Sequence, residues 1–168
     1  MKKVLFLLLL LALIAGCSQD TKKWKVEVRE SALDSSKIVW IRLPPEFYKN
    51  DNWNAGYFSV SCNKERLTYP GFSLGPTGLG SQMMKYAIDD GPVQQIYVTQ
   101  SPVNSSAVTI EFPEGIKFLK ELLRHKKLGI QLTSNRGTVE ESVFDITAFR
   151  EVYTSVMAHN ICSPDVLK

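Results

Sequence analysis

Histidine is scarce in this chain, and several motifs that mark metal, phosphate and dinucleotide sites are missing. Only two of the 168 residues are histidine, His125 and His159, and neither belongs to an HExxH zinc-binding pattern. A GxxxxGK[ST] phosphate loop and a GxGxxG dinucleotide loop do not occur either. The sequence therefore names no catalytic residue, metal ligand or cofactor, and we expect a protein that is not an enzyme.

A strong excess of one charge is also missing. The chain has 20 basic and 17 acidic residues, and taking away Lys2 and Lys3 with an N-terminal leader leaves 18 basic residues against those 17. A net charge near +1 argues against a nucleic-acid-binding protein, which would show a clear basic excess. We therefore expect partners other than nucleic acid.

The chain begins with a short apolar run typical of an export signal. Lys2 and Lys3 precede eleven apolar residues, 4–14, too few for the roughly twenty of a membrane-spanning helix. Residues 14–17, Ile-Ala-Gly-Cys, resemble a bacterial lipobox, in which Cys17 is alkylated with diacylglycerol after removal of residues 1–16. An ordinary secretory signal with a chance cysteine is the alternative.

Ser18 follows Cys17 and resembles the residue that sends lipoproteins to the outer membrane. Because a multiply acylated N-terminus, with fatty acids such as palmitate, holds firmly in a bilayer, we predict an envelope protein. It would be anchored by lipid at the outer membrane and face the periplasm.

Cysteine is rare as well. Besides Cys17, the chain has Cys62 and Cys162. Because an exported protein folds where disulfides form, we predict that these two residues pair. A free nucleophilic thiol and a metal ligand are the alternatives, but two cysteines without a histidine cluster do not make a closed zinc site.

The remaining chain is long enough for one domain with a hydrophobic core. We place a polar tether at 17–23 and a single domain at 24–168. Apolar residues at helical spacing predict one helix from Pro113 to Arg124 and a second after an N-cap at Asp145. Period-two alternation predicts strands at 24–30, 37–43, 57–62, 67–70, 83–88, 93–99, 105–112, 128–133 and 142–144.

These elements predict an α+β fold. We expect mainly antiparallel β sheet, curled into a sandwich or partial barrel, with two helices and one disulfide. The sequence does not predict the strand order or the oligomeric state.

Aromatic side chains in polar segments are the candidates for partner binding. Phe47, Tyr48 and Trp53 lie in a polar connection, and Phe72 lies in the glycine-rich segment 71–81, which predicts a mobile surface loop. Covering one end of the core is the alternative for the first three. We hypothesise that these two segments form a surface that binds another envelope protein.

Two charged segments allow more than one interpretation. Asp89-Asp90 could serve as an acid or a metal ligand, but the Asp-Gly turn that follows favours turn chemistry. Basic residues 124–127 end the first predicted helix, where they complement its dipole. A solvated surface is the simpler interpretation, and contact with anionic lipid or lipopolysaccharide is the alternative.

Five segments together resemble the type VI secretion-associated VasI/TagO-type proteins. They are the Trp-led strands 24–43, the Cys strand 57–62, the hairpin 85–101, the helix and strand 116–132, and the Phe-Asp helix leading to a terminal Cys, 144–162. The chain departs from the family at Ser61, where Arg is usual, and at Tyr97, where Trp is usual. The resemblance implies an accessory envelope protein that binds or assembles and supplies no catalytic residue.

The second hypothesis belongs to another class of protein. Small β-rich lipoproteins that inhibit lysozyme or exclude incoming phage also carry a Cys strand, and residues 57–69 are weakly similar to that of lysozyme inhibitors. A peptidoglycan-acting enzyme is the third hypothesis, and it has no motif in its favour.

Overall fold

The structure is a computed structural model that describes residues 23–30, 37–48, 56–62, 68–73, 79–101, 104–157 and 162–168. The export signal 1–16, Cys17, residues 18–22 and Trp53 lie outside the described residues, so the predictions made for them stay predictions. Among the described residues, no helix has both the length and the apolar character that crossing a membrane requires.

The described residues form ten strands, two α-helices and one 3-10 helix. The strands are β1 (Lys25–Glu30), β2 (Lys37–Leu43), β3 (Phe47–Tyr48), β4 (Tyr57–Cys62), β5 (Thr68–Ser73), β6 (Gln82–Ile88), β7 (Gln94–Ser101), β8 (Asn104–Thr109), β9 (Lys127–Thr133) and β10 (Val139–Asp145). The helices are α1 (Glu114–Leu122) and α2 (Phe149–Met157), and the 3-10 helix covers Pro164–Leu167. All nine strands predicted from alternation are present, and β3 is an additional short strand.

The strands form one antiparallel sheet in the order β1-β2-β4-β5-β8-β7-β6-β9-β10-β3. Strand β7 belongs to both halves, because β6 pairs with it as far as Val98 and β8 pairs with it from Thr99 onward. The register between β7 and β8 shifts between Gln100 and Ser101. Irregularities of this kind bend a strand and increase its twist, so the two halves turn toward each other.

The two ends of the sheet meet at one end of the molecule. Lys23, just before β1, donates hydrogen bonds to Glu46 Oε1 at 2.8 Å, just before β3, and to Asp145 Oδ2 at 3.0 Å, at the end of β10. Trp24 stacks on Phe149 of α2 with 5.5 Å between ring centroids. Side chains therefore join the sheet's ends into a partial barrel. The predicted α+β fold, with a curled antiparallel sheet, two helices and one disulfide, is confirmed.

The hydrophobic core is centred on Phe58 of β4. Its ring lies 6.1, 5.2, 6.1 and 6.0 Å, centroid to centroid, from those of Trp24, Phe72, Phe144 and Phe149. Aromatic pairs in such geometries add about 0.5–1.5 kcal/mol each beyond simple burial. One cluster of rings thus holds together β4, β5, β10, α2 and the start of β1.

Both helices cover this core with one apolar face. Helix α1 buries Ile116, Phe118, Leu119 and Leu122, and α2 buries Phe149, Val152, Tyr153 and Val156. Residues three and four positions apart lie on the same side of a helix, which is why their spacing predicted the elements. Asp145 caps the turn before α2, because its Oδ1 accepts hydrogen bonds from the Thr147 N–H at 3.1 Å and the Thr147 hydroxyl at 2.6 Å.

The predicted disulfide between Cys62 and Cys162 is confirmed. It ties β4 to the segment after α2 across 100 positions, with the two Cα atoms 4.9 Å apart. Both cysteines are fully buried. The Tyr153 hydroxyl donates to the Ser163 carbonyl at 2.9 Å, so the residues beyond the bridge are also held against α2.

The prediction that Phe72 lies on a mobile surface loop is wrong. Phe72 belongs to β5 and is fully buried, with ring contacts to Phe58 and Phe118. Leu79, in the same glycine-rich segment, is buried as well. Residues 74–78 lie outside the described residues. Glycine is typical of loops, but Gly71 lies inside β5, where it allows close packing against the neighbouring strands.

Strand β1 is less buried than its alternation predicts. Trp24, just before it, is 7% exposed, but Val26 and Val28 are 44% and 43% exposed. Strand β1 lies at an edge of the sheet, so its apolar face extends past the core and remains open to solvent.

Candidate functional site

One face of the sheet points away from the hydrophobic core and carries large polar and aromatic side chains. Successive residues of a strand point to opposite faces. Because Val39 and Ile41 of β2 are fully buried in the core, Trp40 and Arg42 project from the other face. Arg42 lies opposite Ser59 of β4 in the strand register, so the two side chains are neighbours there.

Small side chains form the floor of a depression on this outer face. Ser59 and Ser73 are each 6% exposed and Ala107 is 8% exposed, although alternation directs them away from the core. A Cβ at Gly71 would lie 3.2 Å from Ser59 Oγ and 3.3 Å from the Val108 carbonyl oxygen. The floor is therefore closely packed, and larger side chains rise around it.

We call this depression the outer groove. It has a volume of about 620 Å³, within the range of about 300–1,000 Å³ found for ligand-binding clefts. Its floor contains Ser59, Gly71 and Ala107, and the larger side chains around it are Arg29, Trp40, Arg42, Tyr57, Tyr69 and Glu111. A groove of this size is open to a small molecule or an extended segment of a polymer.

Arg42 forms the cationic side of the outer groove. Its guanidinium carbon lies 5.2 Å from the ring centroid of Trp40 and 5.4 Å from that of Tyr57, distances at which cation–π attraction holds the group in place. Its Nη1 lies 3.9 Å from Glu27 Oε2. Within the described residues, its buried Nε has no hydrogen-bond partner. The positioned guanidinium thus retains donor capacity for a ligand oxygen.

Glu27 also pairs with Arg29 at the rim. Arg29 Nε lies 2.6 Å from Glu27 Oε1, and this hydrogen bond lowers the pKa of Glu27 below its ordinary value. Glu27 therefore stays ionised beside Arg42, and it helps to orient the guanidinium without neutralising both arginines.

The opposite side of the outer groove is polar and acidic. Glu111 accepts a hydrogen bond from the Thr99 hydroxyl at 2.6 Å, and Thr99 Oγ1 lies 3.3 Å from Thr109 Oγ1. The outer groove therefore has arginine and aromatic rings on one side and hydroxyls with a carboxylate on the other. This polarity suits a ligand that presents both acceptors and donors.

A histidine–carboxylate pair lies elsewhere, at the turn between β6 and β7. His125 Nδ1 is 2.8 Å from Asp89 Oδ2, and Asp89 Oδ1 accepts the backbone N–H groups of Lys126 and Lys127 at 3.0 and 2.9 Å. Asp89 has a φ of 50°, a conformation that Asp tolerates in turns. Asp89 thus ties its turn to the start of β9, which agrees with the turn chemistry predicted for it. Among the described residues, no group of three or more His, Cys, Asp or Glu side chains could hold a metal ion.

The residues predicted to bind a partner do not come together at the outer groove. Phe72 is in the core. Phe47 and Tyr48 form β3, which pairs with β10 at the other end of the strand order from β1. Trp53 and the lipidation residue Cys17 lie outside the described residues.

Sequence reasoning missed Trp40, Arg42, Tyr57 and Tyr69, which line the outer groove. A pattern that could have found them is present in the strands. Trp40 and Arg42 alternate with apolar core positions of β2, and Tyr57 precedes buried Phe58 in β4. Large aromatic residues at the positions that should face solvent are a reason to suspect a binding surface.

Comparison with known proteins shows a fold relative. No protein-family model matches the chain, and no curated protein matches it either. The fold is similar to the crystal structure of invasion associated protein B from Bartonella henselae, with a TM-score of 0.57 and 16% sequence identity. The alignment covers 82% of this chain and 92% of that one. Similarity at this identity shows a shared fold and carries no function.

Proposed function

We propose that this chain is an exported lipoprotein, acylated at Cys17, which acts in the cell envelope by binding another envelope component in the outer groove. The lipobox-like residues 14–17 support the anchor. The outer groove supports binding, because the face of the sheet that points away from the filled core is concave and encloses a volume of about 620 Å³.

The arrangement of Arg42 carries this proposal. Its guanidinium is stacked against Trp40 and Tyr57 beside a floor of small side chains. Arginine and aromatic side chains are enriched where proteins bind partners, and a group already fixed by its neighbours loses little conformational entropy on binding. We infer that an acceptor oxygen of the partner meets Arg42 while an apolar or planar part lies against Trp40.

The resemblance to VasI/TagO-type proteins supports a more specific context. In that context the chain is an accessory protein of type VI secretion, and the outer groove contacts a component of the secretion apparatus. Lysozyme inhibition is the competing function, and a lysozyme activity assay with the purified chain distinguishes the two. Clear inhibition would replace the secretion context with the inhibitor function.

A variant with Trp40→Ala and Arg42→Gln tests the binding site. The full chain and the variant are used to capture partners from detergent-solubilised envelopes of the source cells. We expect the variant to lose the specific partner, while a Tyr97→Ala control keeps it, because Tyr97 is 57% exposed and lies outside the groove lining. Equal capture by both variants, with the disulfide intact in each, would show that the outer groove is not the binding site.

A further inference from the structure

Cationic side chains collect at the end of the molecule where the described chain begins. Lys23 contacts Asp145, and Asp145 lies opposite Lys127 in the register of β9 and β10. The Ile146 N–H donates to the Lys126 carbonyl at 2.7 Å. Lys23, where the described chain begins, therefore lies near Lys126 and Lys127 at the start of β9.

The same positive surface continues between α1, α2 and the 3-10 helix. A hollow of about 300 Å³ lies there, and its lining includes Lys120, Arg124, His125, Arg150 and Lys168. Lys120 and Arg124 are four positions apart, so they point to one side of the α1 helix and its end. We define the basic face as Lys120, Arg124, Lys126, Lys127 and Arg150.

Neighbouring cations are already paired, but those of the basic face are not. Lys23 pairs with Glu46 and Asp145, and His125 with Asp89; Lys168 pairs with Asp165. Within the described part of the chain, no ion pair involves any of the five basic-face residues.

The carboxylates around the basic face are Asp89, Asp90, Glu121, Asp145, Glu151 and Asp165. Asp89, Asp145 and Asp165 already pair with His125, Lys23 and Lys168, which leaves three carboxylates near the five cations of the basic face. The basic face therefore has a surplus of positive charge that is open to an anionic surface.

We propose that the basic face rests on the anionic lipid headgroups of the membrane that anchors Cys17. The inference depends on the proposed acylation. Only five residues, 18–22, separate Cys17 from Lys23, and the six Cα-to-Cα steps from Cys17 to Lys23 span at most about 21 Å. Such a short connection keeps the end of the domain that bears Lys126 and Lys127 close to the bilayer.

The positive charge of the basic face favours anionic lipid headgroups as its binding partner. Each Lys or Arg near an anionic membrane surface raises the partition onto it about five-fold, and the effect requires the charges to be within about one Debye length of the headgroups. Lys126 and Lys127 of the basic face lie at the same end of the domain as Lys23, to which the proposed tether is joined, so the anchor would bring these charges within reach of the headgroups. The outer groove would then be held at a fixed orientation to the membrane.

The test measures lysine reactivity in the acylated full-length mature protein bound to vesicles. Amine acetylation is followed by mass spectrometry in vesicles of phosphatidylcholine alone and in vesicles that also contain phosphatidylglycerol. We expect the reactivity of Lys120, Lys126 and Lys127 to fall about five-fold in the anionic vesicles, and high salt to restore it. Lys37 is the internal control, because it is exposed and lies opposite Glu30, at the end of the β1-β2 pair away from Lys23.

Charge variants make the test specific. Lys126→Gln with Lys127→Gln should reduce the protection of Lys120, and Lys37→Gln should not. Equal reactivity in both vesicle types, with the protein still vesicle-bound, would overturn the inference and leave the lipid anchor standing. Release of the protein from phosphatidylcholine vesicles would instead overturn the anchor, and the inference with it.

Discussion

Lys23 Nζ lies 3.0 Å from Asp145 Oδ2, and the two residues are 122 positions apart in the chain. Hydrogen bonds to Glu46 and Asp145 raise the pKa of Lys23 above its ordinary value. Burial by itself raises the pKa of Asp145. Hydrogen bonds from Thr147 and Lys23 lower it by more, so the pKa of Asp145 lies below its ordinary value. Both groups are therefore charged across the physiological range, and they connect the first strand to the last.

Replacing Lys23 should loosen the edge strand more than it unfolds the protein. In Lys23→Met we expect faster hydrogen exchange of the β1 amides, because the ion pairs hold the start of β1 against β10. The change in global stability should be small, since exposed ion pairs contribute little. Lys25→Met is the matched control, because Lys25 is exposed on β1 and has no ion pair among the described residues. Unchanged exchange in β1 would show that the core alone closes the partial barrel.

The Asp89 turn should make stability depend on pH in the acid range. Hydrogen bonds from His125, Lys126 and Lys127 lower the pKa of Asp89, so its folded pKa lies below the unfolded value of about 3.9. Its contribution is then complete above about pH 5 and is lost as the pH falls through the lowered folded pKa. Asp89→Asn should unfold at a lower urea concentration at neutral pH. The loss in the free energy of unfolding should be less than about 1 kcal/mol, because the group is exposed.

The difference in the free energy of unfolding between wild type and Asp89→Asn should disappear in strong acid, where the side chain at position 89 is neutral in both proteins. Urea unfolding followed by circular dichroism at several pH values measures this. Asp90→Asn is the control, because Asp90 is exposed in the same turn, and we expect little change from it. A difference that persists unchanged at pH 2 would contradict the electrostatic account of the turn.

The disulfide between Cys62 and Cys162 should be a major source of stability. Its loop spans 100 positions, and loss of a native disulfide from a small exported domain costs roughly 2–5 kcal/mol. Cys62→Ala and Cys162→Ala should each lower the free energy of unfolding, and the double variant should be no worse than the single ones. Denaturant unfolding with and without a reducing agent measures this. Additive losses would mean that packing of the two side chains matters more than the bridge.

Alanine should destabilise the protein at one glycine and not at another. A Cβ at Gly115 in α1 would lie 2.8 Å from the Ile110 carbonyl oxygen and 2.9 Å from Pro70 Cδ. Helical Gly→Ala normally stabilises by up to about 1 kcal/mol, but here overpacking should destabilise by about 1–3 kcal/mol. At Gly129 in β9 the nearest atom is 3.8 Å away, so Gly129→Ala should be neutral or stabilising. The melting temperatures of the two variants test this. An equal change in both would show that α1 accommodates the added methyl group without losing stability.

Most strands and helices could be predicted from the sequence, because buried residues recur at every second position in a strand and at every third or fourth position in a helix. In β2, buried Val39, Ile41 and Leu43 alternate with less buried residues, and this pattern needs no knowledge of the neighbouring strands. The prediction for Phe72 is wrong because a glycine-rich segment, 71–81, is typical of a loop, whereas Phe72 lies in β5. The actual reason for Gly71 is the Ser59 side chain on the adjacent strand, a neighbour that the sequence does not reveal.

The outer groove could not be predicted in the same way. Alternation identifies Trp40, Arg42 and Ser59 as outward-facing, but it does not predict that Ser59 is only 6% exposed in the folded sheet. The curl of the sheet depends on strand order and on long-range contacts such as the one between Trp24 and Phe149. Sequence therefore predicts which residues face outward, and the tertiary structure decides whether they form a concave surface.

Site-specific photo-crosslinking tests the central claim most directly. A photoreactive phenylalanine analogue replaces Tyr69 in the outer groove or, as the control, Tyr97 outside it, and the acylated protein is irradiated in living cells. The account predicts a discrete crosslinked partner from position 69, lost when Trp40→Ala and Arg42→Gln are added, and no such product from position 97. A partner captured from position 97 and not from position 69 would contradict it.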